Sequence, residues 1–324
     1  GLKKYLKAHP DEIPLDNPDA VPPAYEQQLA EKLAADPALS TISGLASKSP
    51  DEVLALAMAS TSLSPDAKKT ADQMLALQEH EQQAQLKQID TGRWVQDIVP
   101  LSTPDLAAFA QAQVVVRNDE RKDRTQLSDA LQNARQQLKT SGNVDSATAN
   151  AIATLQASVQ GHTLDAEAYQ TTGNAVLQVM SYNLAPQVNE AVSQQAHELA
   201  EEYQNATDPA APTLTITLAK PVAIEPHQTL AAPGAPSVNV ADVVEQKDGR
   251  TVFHDDQGDT YVAVQKGNQL EVTKSEKEEV RQRIKSFAQG VNNAVFSPPA
   301  HDQTVSEAIE DGVAAAIEAS KKKP

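Results

Sequence analysis

Apolar side chains recur at three- and four-residue steps through the longest patterned stretch of the chain, from Thr103 to Tyr203. From Tyr169 onward the stripe runs through Gly173, Val176, Met180, Leu184, Val188, Val192, Leu199 and Tyr203, with Gln, Asn, Glu and Ser between them. That period places the stripe along one side of an α-helix, which must lie against other apolar surface. Pro186 falls within it. A proline there removes one hydrogen bond and clashes with the turn before, so a kink or a junction of two helices is expected just before it.

Upstream, Thr103-Pro104-Asp105 opens a stripe of Leu106, Phe109, Gln113 and Val116, which gives way to a charged run from Arg117 to Arg124. The stripe resumes as Leu127, Leu131, Ala134 and Leu138. A mixed-charge run reads as a solvated helix face with weak local pairs. One helix of about 36 residues, roughly 54 Å long, is therefore expected over 104–139, with a break at the run as the alternative. Ser141-Gly142-Asn143 ends it. Asp145 or Ser146 then caps a short helix that Gly161 ends, the patterned helix begins near Leu164, and Asp208-Pro209 closes the region.

The stretch before Thr103 carries the same signals. Pro10, Pro14, Pro18, Pro22 and Pro23 make residues 1–24 an extended arm, basic first (Lys3, Lys4, Lys7) and acidic after, to be ordered only against a partner. Pro23 suits the first turn of a helix through about Ala35. Ser49 and Glu52 form a capping box for a helix through about Ser60. Ser64-Pro65-Asp66 starts another, to about Ile89, whose Gln- and Glu-rich middle from Gln78 to Gln88 faces water. Trp94 reads as a packing anchor under the following loop.

Past Pro209 the character changes. Six prolines mark residues 208–242 as an extended connector and domain boundary, carrying one strand in the alternating run Thr213–Leu218. Asp248-Gly249, Gln257-Gly258 and Lys266-Gly267-Asn268 then separate three short β runs (251–253, 260–264 and 270–272), a small antiparallel meander over 243–274. Ser275 with Glu278 and Thr304 with Glu307 are capping boxes for two C-terminal helices within 275–324, the first ending at Gly290. In the second, Val305, Ile309, Val313 and Ile317 repeat every four residues beside Ala308, Gly312 and Ala316, a small-residue stripe suited to close packing within the chain, with docking on a partner helix as the alternative. The expected fold is mainly α (α+β): an elongated helical bundle over 25–207, the connector, the meander and the C-terminal helices.

Composition sharpens this picture. Hydrophobic residues make up 40% but aromatics only 3%, so the core rests on many modest contacts from Ala, Leu and Val. The net charge of −17 and pI near 4.8 disfavour general nucleic-acid binding, and the short lysine runs at both ends read as solubilising. The chain has no cysteine, which removes disulfides, thiolate catalysis and Cys-based zinc sites. No apolar run approaches the ~18 residues of a transmembrane segment, and the first residues lack a signal-peptide core. A chain starting at Gly1 without methionine reads as a product of natural proteolytic maturation.

Candidate chemistry is sparse. Among seven histidines no two stand at helical ligand spacing. Glu190, His197 and Glu201 share a helical face and could ligate a metal, but on a Glu-rich helix they read as a solvated face with ordinary ion pairs. His254-Asp255-Asp256-Gln257-Gly258-Asp259 is the nearest approach to a cation loop, with Asp255, Asp256 and Asp259 as candidate oxygen ligands for Ca²⁺. Its spacing is not that of an EF-hand, and a hairpin turn uses Asp and Gly for conformational reasons. Phosphate-cradling and nucleophile-elbow motifs are missing, so no catalytic residue and no cofactor is expected. Asn205-Ala206-Thr207 matches a glycosylation sequon at chance frequency.

These features point to a non-enzymatic structural or assembly protein, an oligomer or part of a larger complex, that meets other protein subunits through its arm and its apolar helix stripes. Its style is that of a proteolytically matured, capsid-associated virion component of a tailed phage, located in the particle or the bacterial host. A secreted effector or secretion-apparatus protein is the alternative. An enzyme with a site between the meander and the helices, using His254 and Asp259, is the third.

Overall fold

A computed structural model describes residues 23–42, 45, 48–91, 104–182, 184–218, 223–247, 250–266, 269–297, 299 and 303–321. The proline-rich arm through Pro22 and the loop with Trp94 lie outside them. The fold is mainly α with one antiparallel sheet and C-terminal helices. No described helix is long and apolar enough to cross a membrane. The chain divides into two compact units, residues 1–92 with 117–162, and residues 93–116 with 163–324.

The first unit holds α1 (Pro23–Ala34), α2 (Pro37–Ser40), α3 (Pro50–Ala59) and α4 (Pro65–Thr91). It is completed by the later part of α5 (Pro104–Thr140) and the earlier part of α6 (Ser146–Met180). Leu29, Leu33, Leu39, Val53, Leu54, Met74, Leu75, Leu127, Leu131 and Ile152 form its core. The helix starts follow from capping chemistry. The Ser49 hydroxyl accepts from the Glu52 amide at 3.3 Å, and the Glu52 carboxylate accepts from the Ser49 amide at 2.9 Å. Asp36 accepts from the amides of Ala38 and Ser64, at 2.9 and 3.2 Å, so it caps α2 while tying down the entry to α4. The Ser64 hydroxyl, with these amides, holds its carboxyl below the usual range.

α5 is one unbroken helix of 37 residues, about 55 Å long. Its charged run is solvated on one side only, with Asn118, Asp119, Arg121 and Lys122 exposed and Glu120 and Arg124 buried. Glu120 is 1% exposed, with Arg117 at 2.6 Å and Arg124 at 2.9 Å, and Arg124 reaches Gln82 of α4 at 2.7 Å. Further along, Arg135 pairs with Asp72 and Glu79 of α4 at 2.8 and 2.7 Å. The run and the Gln-rich middle of α4 face water in part, as expected (Glu81, Gln83, Lys87 and Gln88 are exposed), but one polar side of each meets the other, as in the Arg124–Gln82 bond. Gly142, at φ 79°, ends α5 as expected.

Gly161 does not end a helix. α6 runs through it to Met180, so the short helix expected over 146–160 and the patterned one are continuous. Glycine in a helix interior costs only about 1 kcal/mol relative to alanine. The buried stripe of Ile152, Val159, Ala166 and Tyr169 carries the helix across. At Pro186 two helices do meet: α6 stops at Met180 and α7 (Pro186–Asn205) begins with the proline in its first turn.

In the second unit the sheet has six strands in the order β1-β6-β5-β4-β3-β2. They are β1 (Leu214–Thr217), β2 (Thr229–Leu230), β3 (Val238–Lys247), β4 (Arg250–Asp255), β5 (Thr260–Lys266) and β6 (Gln269–Lys274). The three central runs fall where the turn signals put them. The sheet is wider than that meander because residues 208–242 hold β1, β2 and the start of β3, where one strand was expected. β1 closes back on β6, with Leu214 opposite Val272. β3 bulges twice against β4, near 241 and 244, which hides a missing alternation from sequence reading. One sheet face buries Phe253 stacked on Tyr261 at 5.5 Å, under Ile224 and Leu230.

α8 (Glu276–Phe296) packs on the sheet and on both α7 and α9 (Val305–Ser320). Ser275 caps α8 by accepting from the Glu278 amide, but the reciprocal half of the expected box is absent. The Glu278 carboxylate is taken by arginines instead, and Asp208 accepts from the Ser275 hydroxyl and the Lys277 amide. Nor does α8 end at Gly290. That glycine is a contact point: a Cβ there would stand 2.6 Å from the Ala316 Cβ of α9, and one on Gly312 would stand 2.6 Å from the Ala294 Cβ. The small-residue stripe of α9 thus seats against its own chain, in an antiparallel pair of Gly-x-x-x-Ala ridges.

Candidate functional site

The residues singled out from sequence separate into two places in the second unit. In the 254–259 loop, which joins β4 to β5, the Asp255 carboxylate accepts from the amides of Gln257 and Asp259, both at 2.9 Å. Gly258, at φ 80°, completes the turn. Asp259 pairs with Lys274 at 2.5 Å, and Asp256 accepts from Asn239 at 3.0 Å. Each of the three candidate cation ligands therefore has a turn-building or cross-strand partner. His254 Nδ1 lies 3.0 Å from Asp242, while its Nε2 is buried without a partner. Among the described residues, no three His, Asp or Glu side chains are placed to hold one metal ion.

Glu190, His197 and Glu201 lie on α7, and the structure divides them between two open clefts. Glu190 and His197 line one of about 510 Å³ with Asp105, Asn189 and Ser193. Glu201 lines the other, of about 590 Å³, with Glu198, Glu202, Glu276, Glu279 and Arg283. His197 Nε2 stands 3.4 Å from Glu201, both well exposed. The second cleft is strongly acidic. Its one arginine donates to Glu202 and to the last carbonyl of α9, at Ser320, so it serves the helix packing.

Sequence reading missed the polar seam between sheet and helix. Glu278, 4% exposed, bonds Arg250 of β4 at 2.6 Å and Arg281 at 3.2 Å. Arg281 and Lys285 both reach Glu245 of β3, at 3.4 and 2.8 Å. The hydrogen bond from Lys285 pushes the Glu245 carboxyl down to about 2 against the opposing effect of its burial. Its share of stability is therefore present above the ordinary carboxylate value and lost only as the pH falls through about 2. Alternating charges from Glu276 to Lys285 were the available signal, but their partners lie on strands 28, 36 and 40 positions away. Nearby, the Tyr203 hydroxyl bonds Asp165 at 2.7 Å, and burial pushes its pKa up, so this phenol stays protonated. The seam fixes geometry. It places no nucleophile beside a base.

No family model, curated protein or solved structure matches the chain.

Proposed function

We propose that the chain is a non-enzymatic subunit of a larger protein assembly, working through extended protein–protein surfaces. The observation that supports this reading is the end of the α8–α9 hairpin. The chain has four phenylalanines; Phe109, Phe253 and Phe287 are at most 3% exposed, whereas Phe296 is 70% exposed. Val305, the first residue of α9, is 57% exposed. Leaving such a side chain in water forgoes about 1.5–3 kcal/mol, which a partner covering it recovers. The finer form of the proposal, a proteolytically matured component of a tailed-phage particle, rests by analogy on the Ala- and Gln-rich helices and the proline-rich arm.

Sedimentation velocity of the intact chain over a concentration series, alone and with particles from its source, tests the reading. Association is expected, and Phe296→Ser should weaken it while leaving the circular dichroism and the unfolding midpoint unchanged. A chain that stays monomeric and joins no particle, or a variant that associates as well as the original, rejects it.

A further inference from the structure

Where α1, α3 and α4 pack together, one hydrogen-bond account does not balance. Gln78 of α4 is 8% exposed, and its side-chain nitrogen donates to an Asp51 carboxyl oxygen of α3 at 2.6 Å. Its own carbonyl oxygen is shut off from solvent and has no donor. A buried carbonyl without a donor is costly, and an ionised carboxylate has no proton to give. Turning the amide over does not help, because its oxygen would then face Asp51 at 2.6 Å and again require a proton on the acid.

The surroundings supply that proton's motive. Asp51 is faced by Glu26 from α1 and Glu81 from α4, with Glu52 beside it on α3. The cations in reach are taken up elsewhere: Arg124 of α5 acts on Glu81 but bonds Glu120 and Gln82, and Lys48 stands 3.9 Å from Glu52. We infer that Asp51 binds a proton and forms a two-hydrogen-bond pair with the Gln78 amide, a latch between α3 and α4 that tightens on acidification. One O–H forms on the carboxyl, which donates to the Gln78 carbonyl while the other carboxyl oxygen keeps the bond from the amide nitrogen.

The three carboxyls Glu26, Asp51 and Glu81 are all raised, in each case first by partial removal from water, Asp51 and Glu81 keeping one side exposed, and then by their acidic neighbours, with the Gln78 bond opposing this at Asp51 and Arg124 opposing it at Glu81. The sign follows. The latch's stability is fully present below the ordinary aspartate value and is lost as the pH rises through the raised one.

Carboxyl ¹³C NMR of the intact chain, with the Asp51 resonance assigned by its loss in Asp51→Asn, reads the site directly. The Asp51 midpoint is expected above that of an ordinary aspartate. Asp51→Asn keeps both hydrogen bonds as an amide–amide pair at every pH. It should therefore raise the unfolding temperature at neutral pH and bring no gain in acid. An Asp51 midpoint at or below the ordinary value, or an Asp51→Asn chain less stable than the original at neutral pH, overturns the inference.

Discussion

Glu278→Ala is expected to destabilise the second unit by about 3 kcal/mol in chemical denaturation, the scale for removing one member of a buried ion pair. The cost comes from what is left behind. Arg250 and Arg281 would keep their charges at the sheet–helix seam, with side chains only 20% and 7% exposed and their shared carboxylate gone. The pair itself is not the source of the effect, since burying charge offsets most of their attraction. Replacing Glu278, Arg250 and Arg281 together by apolar residues of similar volume should thus cost far less than the single change. A single variant within about 0.5 kcal/mol of the original would show that water reaches the seam and that it does not set the seating of α8.

Gly312→Leu should separate α8 from α9 and cost about 2–3 kcal/mol, the upper range for overpacking a well-filled interface. Even alanine at Gly312 would bring its Cβ within 3.0 Å of the Ala294 Cα, a backbone atom that yields only if the helix moves. The gain in helix propensity from glycine to alanine, about 1 kcal/mol, offsets part of that smaller change. The paired swap Gly312→Ala with Ala294→Gly moves one methyl to the facing helix and should recover most of what Gly312→Ala alone loses. If the swap is no better than the single change, the two ridges are not in the close register described above.

What could be read from the residues depended on how local its cause was. Ser49 with Glu52, Thr304 with Glu307, Pro186 and Gly142 each act through atoms within a few residues, and all of them do what their chemistry implies. Gly161 and Gly290 misled because a glycine's local preference is weak against a long buried stripe. At Gly290 the residue answers to Ala316 on another helix, a partner that sequence spacing does not reveal. The Arg117–Arg124 run was legible by half: Asn118, Asp119, Arg121 and Lys122 are exposed as charge implies, while Glu120 and Arg124 are buried and Arg124 answers to Gln82 on another helix. β2 and β3 were hidden by two bulges and a two-residue strand, which erase the period-two signal. For the candidate sites, the turn role of Asp255 and Gly258 was readable, whereas the seam around Glu278 exists only once strand and helix are folded together.

The proposed role in an assembly requires that a partner cover the exposed end of the α8–α9 hairpin. Hydrogen exchange of the chain, purified and in an extract of its source, measures this at the amides around Phe296 and Val305. Slower exchange there on assembly, with the buried Gly290–Ala316 seam unchanged, is the predicted result; equal exchange at Phe296 and Val305 in both states would contradict it.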